Sequence, residues 1–284
     1  MLKLSTIPVV LRETLTTKAF AREPEPDLIM TDESQVNAFT QAGREGVIAG
    51  VYAYHVEHAT PTIQGARTVL DLGCGSGTFL IKMARTNPDI QFIGLDLSES
   101  MLEVAHKAVH TRGLKNIQFR KCDFTNLTAY SDASVDAVMS LQALHHLPTL
   151  AHLERMYSEV RRVLVPDGAI YFQDLLRLKR KQSVLHFAYY DPHVPELTQL
   201  DGERSLRAAF SFPEFENFAK TYLPQNVKCF KTGVIGLYMV QKTPDRTLKP
   251  ETKLRLDAYL ANMPPQTRKF YKDIRFFHYL GGLK

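Results

Sequence analysis

Apolar positions between Thr68 and Phe172 fall into short continuous runs separated by turn residues, at the spacing of alternating strands and helices. Val69, Leu70 and Leu72 are consecutive enough to need cover on both faces, the mark of a strand inside a parallel sheet. The pattern predicts strands near 68–72, 91–96, 117–121, 135–140 and 168–174, with helices near 77–86, 99–112 and 150–164 and a less clear one after Asp174. Two last strands, near 227–232 and 235–242, read as an antiparallel pair with Gly233 and Gly236 available for the turn. The expectation is an α/β sheet of seven strands, mostly parallel, with helices on both faces.

Three regions lie outside that repeat. Residues 1–66 predict an N-terminal helical cap: Pro24 and Pro26 break the early segment, and residues 31–35 look like a helix start leading to Val36, Phe39 and Ala42. Gly43, Gly46 and Gly50 weaken any continuous helix before Val51–His55. The core spans 67–243, with an insertion at 175–226. The remainder, 244–284, predicts two amphipathic helices interrupted between Met263 and Pro265. Phe276, Phe277 and Tyr279 are too many aromatics for a free tail, so they pack on the core or a second subunit, ahead of a membrane surface.

Composition narrows the class. In 284 residues, 44% are hydrophobic, enough for a buried core, while no run approaches the ~20 apolar residues of a spanning helix. The first residues lack an apolar stretch with a cleavage site, and Cys74, Cys122 and Cys229 show no metal-ligand spacing. Free thiols in a reducing, cytoplasmic setting are the expectation. The net charge of +5 gathers around Arg177–Lys181 and in the tail without any nucleic-acid-reading motif, so a solvated basic face outranks a nucleic-acid partner.

The chemistry starts at Gly73, Gly75 and Gly77, which follow the first strand directly. Glycines there let a ligand lie against the backbone, with the next helix's amide end pointing at it. Asp96, nineteen residues beyond Gly77, ends the second strand, where a carboxylate accepts hydrogen bonds from ribose hydroxyls. Dinucleotides and S-adenosylmethionine share that geometry. No third glycine stands where the dinucleotide fingerprint requires one. Asp71 would repel a pyrophosphate but suits the cationic methionine end of S-adenosylmethionine.

These residues resemble the class I S-adenosylmethionine-dependent methyltransferases over roughly Thr68 to Thr243, a Rossmann-like fold. The resemblance implies that Asp71, Gly73, Cys74 and Gly75 hold the methionine moiety, and that Asp96, with Leu97 and Met101 after it, holds the ribose. It further implies adenine contact at Asp123 and Phe124, with Ser140 at the end of the fourth strand. Cys74 and Cys122 would border the cofactor, though a small buried filler is the plainer role for each. Asp174 to Arg177 and the segment Ser205 to Ser211 resemble a bacterial small-molecule subgroup, placing Asp174 and Arg177 beside the substrate; here Leu176 replaces an Arg and Ser211 a Thr. Tyr52, Tyr54 and His55, on a helix preceding the first strand, are candidates to face the pocket, against an equally plain packing role.

His145 and His146 follow the fourth strand, where the family's loop often borders the transferred methyl. Either is a candidate general base, His145 first, and a loop-bracing role stands open beside that. The Asn/Asp-Pro-Pro-Tyr/Phe signature of amide and nucleobase methylation is missing, which leaves an O or N atom of a small molecule as acceptor and S-adenosyl-L-homocysteine as product. Two alternatives remain: a non-catalytic S-adenosylmethionine-binding subunit using the aromatic tail as its interface, and an NAD-linked oxidoreductase. A homodimer through the N-terminal cap or the C-terminal tail is compatible with either helical region.

Overall fold

The computed structural model describes residues 6–26, 33–45 and 47–283. Its seven strands are β1 (Thr68–Leu72), β2 (Gln91–Asp96), β3 (Ile117–Lys121), β4 (Val135–Leu141), β5 (Leu164–Leu175), β6 (Lys228–Lys231) and β7 (Tyr238–Lys242). They form one sheet in the order β3-β2-β1-β4-β5-β7-β6. All neighbouring pairs are parallel except β5 with β7 and β6 with β7. The predicted sheet is therefore observed, antiparallel pair included.

Side chains alternate across the sheet, so adjacent residues enter different cores. Val69, Phe92, Met139 and Tyr171 face one layer; Leu70, Leu95, Val138 and Phe172 face the other. The first layer holds α3 (Val47–Thr62), α4 (Thr78–Thr86), α5 (Glu99–Arg112), α10 (Pro250–Ala261) and α11 (Pro265–Leu280). The second holds α6 (Leu150–Val163) and α9 (Phe212–Tyr222). Burial on both sides explains why the strands read as continuous apolar runs. Ser98 caps α5 by accepting a hydrogen bond from the Met101 amide, and Gly113, at φ +63°, ends it.

The N-terminal region contributes α1 (Ile7–Leu15) and α2 (Glu33–Glu45) before α3. Thr31 and Asp32, read as a helix start, and Gly46 lie outside the described residues. Gly43 and Gly50 sit inside helices rather than breaking them. The reason is close packing: a Cβ on Gly50 would stand 2.5 Å from Cβ of Phe270 on α11. The small residue lets the last helix lie against α3.

Around that crossing, Tyr54 stacks on His278 with centroids 4.7 Å apart, and His55 and His58 adjoin the same rings. The tail thus packs on its own core through Tyr271 and His278, but Phe276 and Tyr279, which the sequence reading expected to be packed, stay exposed. The insertion forms α7 (Lys181–Ala188) and α8 (Glu196–Ala208) before α9, whose first turn carries a capping box between Ser211 and Glu214. Glu13 on α1 is buried and accepts hydrogen bonds from the Lys179 amide and Ser183 Oγ, tying the N-terminus to α7. Among the described residues, no helix is long and apolar enough to cross a membrane.

Candidate functional site

Strand order reverses between β1 and β4, so their connections leave on opposite faces and open a crevice at the strand ends. A cavity of about 940 Å³ occupies it. The turn after β1 folds back on β2: the amides of Gly73 and Cys74 both donate to the Leu95 carbonyl, at 2.8 and 2.9 Å. Gly73 and Gly75 have φ of +72° and +52°, which L side chains rarely adopt. A Cβ on Gly73 would meet Ala143 Cβ at 2.3 Å, so that glycine is needed for packing. A Cβ on Gly75 would meet nothing closer than Phe39, at 3.8 Å. Gly75 therefore presents bare backbone to the cavity.

Two carboxylates flank this turn. Asp96 accepts from the amides of Gly75 (2.7 Å) and Ser98 (2.9 Å), which fixes the group at the end of β2. Asp71 is 2% exposed, and burial followed by the charge of Asp96 pushes its pKa up to about 8. Such a site favours a cation beside it. Asp123 lies in the exposed turn after β3, accepting from the Thr125 amide at 2.8 Å, with Phe124, Leu97 and Met101 on the same wall. The Cys74 thiol also lines the cavity; burial, then Asp96 and Asp71, hold its pKa well above the usual value, so it stays protonated.

The second wall is a short 3-10 turn, Leu144–His146, entered through Gln142 in the left-handed region at φ +53°. His145 Nδ1 lies 2.6 Å from Asp174 Oδ1, and Asp174 Oδ2 accepts from the amides of Leu144 and His145. This fits an Nδ1–H donor with the lone pair on Nε2, the tautomer a proton acceptor needs. His146 Nδ1 pairs with Glu25 at 2.7 Å, and Ser205 Oγ donates to the other Glu25 oxygen. Burial works to lower the His146 pKa, but the Glu25 hydrogen bond and charge, with Asp201 and Asp174 behind, raise it overall. Arg22 clamps the turn from outside. Its guanidinium donates to the carbonyls of His145, Leu147, Pro148 and Ala208 and stacks 3.9 Å from the Phe210 ring.

Of the residues singled out from sequence, Tyr52, Asp71, Gly73, Cys74, Gly75, Asp96, Leu97, Met101, Asp123, Phe124, His145 and His146 all line this cavity. Four do not. Tyr54 is buried against His58 and His278, because two residues along a helix turn a side chain some 200° away from Tyr52. His55 is buried too, hydrogen-bonded to Tyr171 Oη at 2.7 Å. Ser140 donates to the Leu72 carbonyl, tying β4 to β1. Arg177 pairs with Glu214, away from the cavity. Asp174 is fully buried beneath His145, a partner of the histidine rather than a substrate contact.

Sequence reasoning missed Glu25, Asp201, Ser205 and Phe277, which share the cavity wall. The local signals are the Pro-Glu-Pro run at 24–26, the motif that begins at Ser205 and the aromatic cluster around Phe277, none of which by itself points to the cavity.

A family described as a methyltransferase domain matches residues 63–205. The 27-O-demethylrifamycin SV methyltransferase of Amycolatopsis mediterranei is 36% identical over 109 residues, 38% of this chain and 38% of that protein. A phthiotriol/phenolphthiotriol dimycocerosates methyltransferase of Mycobacterium tuberculosis is 30% identical over 157 residues, 55% of this chain and 52% of that protein. The match thus spans about half, or less, of each curated relative. Among solved structures, a plantazolicin methyltransferase in complex with a triazolic desmethylPZN analogue and SAH superposes with a TM-score of 0.56 at 17% identity, covering 83% of this chain and 86% of that one. An S-adenosylmethionine-dependent methyltransferase of Aquifex aeolicus gives 0.52 at 16% identity, covering 75% and 98%. At those identities the likeness establishes the fold.

Proposed function

The chain belongs to the methyltransferase-domain family, and on that premise we propose that it moves the methyl group of S-adenosyl-L-methionine to an oxygen or nitrogen of a small, largely apolar acceptor. The observation that carries this is one cavity lined by both a cation-seeking carboxylate, Asp71, and His145, whose ring is hydrogen-bonded from beneath by buried Asp174.

The residues fit the cofactor. Asp71 receives the ammonium end, Gly75 leaves room for the chain, and Asp96, already held by two amides, accepts from the ribose hydroxyls. Asp123 and Phe124 take the adenine edge and face. When bound, S-adenosylmethionine supplies a methyl on a sulfonium, a group that leaves as a neutral thioether.

The protein's work is then alignment and proton removal. Nε2 of His145 accepts the proton that the acceptor atom loses, and Asp174 holds the ring in that tautomer and balances the imidazolium. Tyr52, Phe187, Tyr190 and Phe277 offer the acceptor an apolar chamber. Relatives named as methyltransferases of a rifamycin and of phthiotriol dimycocerosates support a small-molecule acceptor. A binding-only subunit would have no use for the histidine pair, which favours turnover.

Calorimetric titration with S-adenosylhomocysteine and with NAD, followed by transfer of radiolabelled methyl into an apolar metabolite extract, tests the reading. Saturable homocysteine-product binding and label in the extract are expected. A folded chain that ignores the product overturns the cofactor assignment; binding without label under any extract returns the binding-only subunit.

A further inference from the structure

The exposed apolar side chains are not scattered evenly. On α1, Ile7, Leu11 and Leu15 recur every fourth residue, a single stripe left in solvent, with Leu15 79% exposed. On α11, Phe276 (55%), Tyr279 (58%) and Leu280 form a second exposed group, joined by Val234 from the β6–β7 connection. That connection is locked to the helix by the Gly233 amide donating to the Phe277 carbonyl. Both helices also wall the cavity: Val10 from α1, and Lys269, Phe270, Ile274 and Phe277 from α11. The apolar surface thus flanks the chamber for the acceptor.

Charge completes the pattern. Lys269, Lys272 and Arg275 are exposed on α11 beside its aromatics, and Arg12 and Lys18 accompany the α1 stripe. Aromatic and aliphatic side chains rimmed by Lys and Arg suit the boundary between anionic headgroups and acyl chains. A second copy of this chain fits worse, because a two-fold contact would set the Lys272–Arg275 cluster against itself.

We propose that α1 and α11 dock this protein on an anionic lipid bilayer, with the cavity beside the contact. The docking stands on surface chemistry alone; its use, collecting an apolar acceptor dissolved in the bilayer, rests on the proposed methyl transfer. No membrane-crossing segment is involved.

Co-sedimentation with phosphatidylcholine vesicles, with and without phosphatidylglycerol, tests it. The wild-type chain should partition onto anionic vesicles at low salt, lose much of that at high salt, and bind neutral vesicles weakly. Phe276→Ser with Tyr279→Ser should reduce partitioning roughly tenfold, and Lys272→Glu with Arg275→Glu should abolish the anionic preference. Leu11→Ser with Leu15→Ser should weaken partitioning in the same way. Affinity for S-adenosylhomocysteine should be unchanged in all three, which keeps a folding defect, or a failure of the cofactor reading, distinct from a failure of docking. Absence of anionic-vesicle binding at low salt overturns the proposal. So does light scattering that shows a dimer dissolved by the Phe276/Tyr279 pair, which would assign the face to a second copy.

Discussion

At Asp71 a carboxyl buried beside Asp96 keeps its proton up to about pH 8. The folded chain without ligand therefore holds a proton that the unfolded chain releases near the ordinary aspartate value. The stability linked to this group is fully present at low pH and is lost as pH rises towards 8. A cation arriving beside Asp71 reverses the balance by favouring the charged form. Binding of S-adenosylhomocysteine at about pH 7 should accordingly release a proton, seen as buffer-dependent heat in calorimetry, and affinity should rise with pH until about 8. Asp71→Asn should bind more weakly and release none.

The glycines of the same turn should separate folding from binding. Gly73→Ala drives a methyl into Ala143, so the melting temperature should fall by several degrees. Gly75→Ala meets open space, and beyond the cost of its positive φ its main effect should be loss of ligand affinity by calorimetry.

Single elements act through the groups that pin them. The strand-less segment at 16–26 holds the histidine turn by Arg22, whose fork reaches four carbonyls from three directions. A lysine cannot reproduce that fork. Arg22→Lys should slow methyl transfer some tenfold to a hundredfold, with cofactor affinity intact, because it loosens the turn that aims His145. Glu25→Gln should lower the His146 pKa, read directly from imidazole NMR titration.

The joint between α3 and α11 behaves differently. His58 and His278 are held neutral, with pKa values near 3, chiefly by burial; Lys242 and Arg275 add to this at His58, and His58 adds to it at His278. His55 beside them is lowered for the same reason, and Glu57 is the acid nearby, bonded to Tyr271 Oη. Histidines depressed in the fold give stability that is complete above about pH 6.5 and lost as pH falls towards 3. At about pH 5 His58 and His278 should each cost about 2 kcal/mol. Melting temperature should drop steeply below pH 6.5, and His278→Phe, which keeps the stack on Tyr54, should flatten the drop.

For the whole molecule, what the sequence disclosed follows how local the cause is. Strand runs, the glycine turn and Asp96 are written within a few neighbours, so the sheet and the wall of the cavity that it carries were legible, down to the antiparallel pair at the end. The opposite wall was not. Glu25, Asp201 and Phe277 are separated by most of the chain, and only the completed fold gathers them. Gly50 misled for a related reason: a residue chosen for close approach by distant Phe270 reads locally as a helix breaker. Tyr54 and Asp174 were in the right neighbourhood with the wrong orientation, since a helix turn and a strand pleat set direction more finely than a motif does.

The last helix, seated on Gly50, closes a chamber whose opposite wall belongs to the central sheet. On the proposed reading, recognition of the donor lies with the sheet, and recognition of the recipient lies in part with this separate stretch of polypeptide. Exchanging 244–283 with the equivalent tail of another such protein should redirect which molecule is modified, while product affinity, followed by calorimetry, stays where it was.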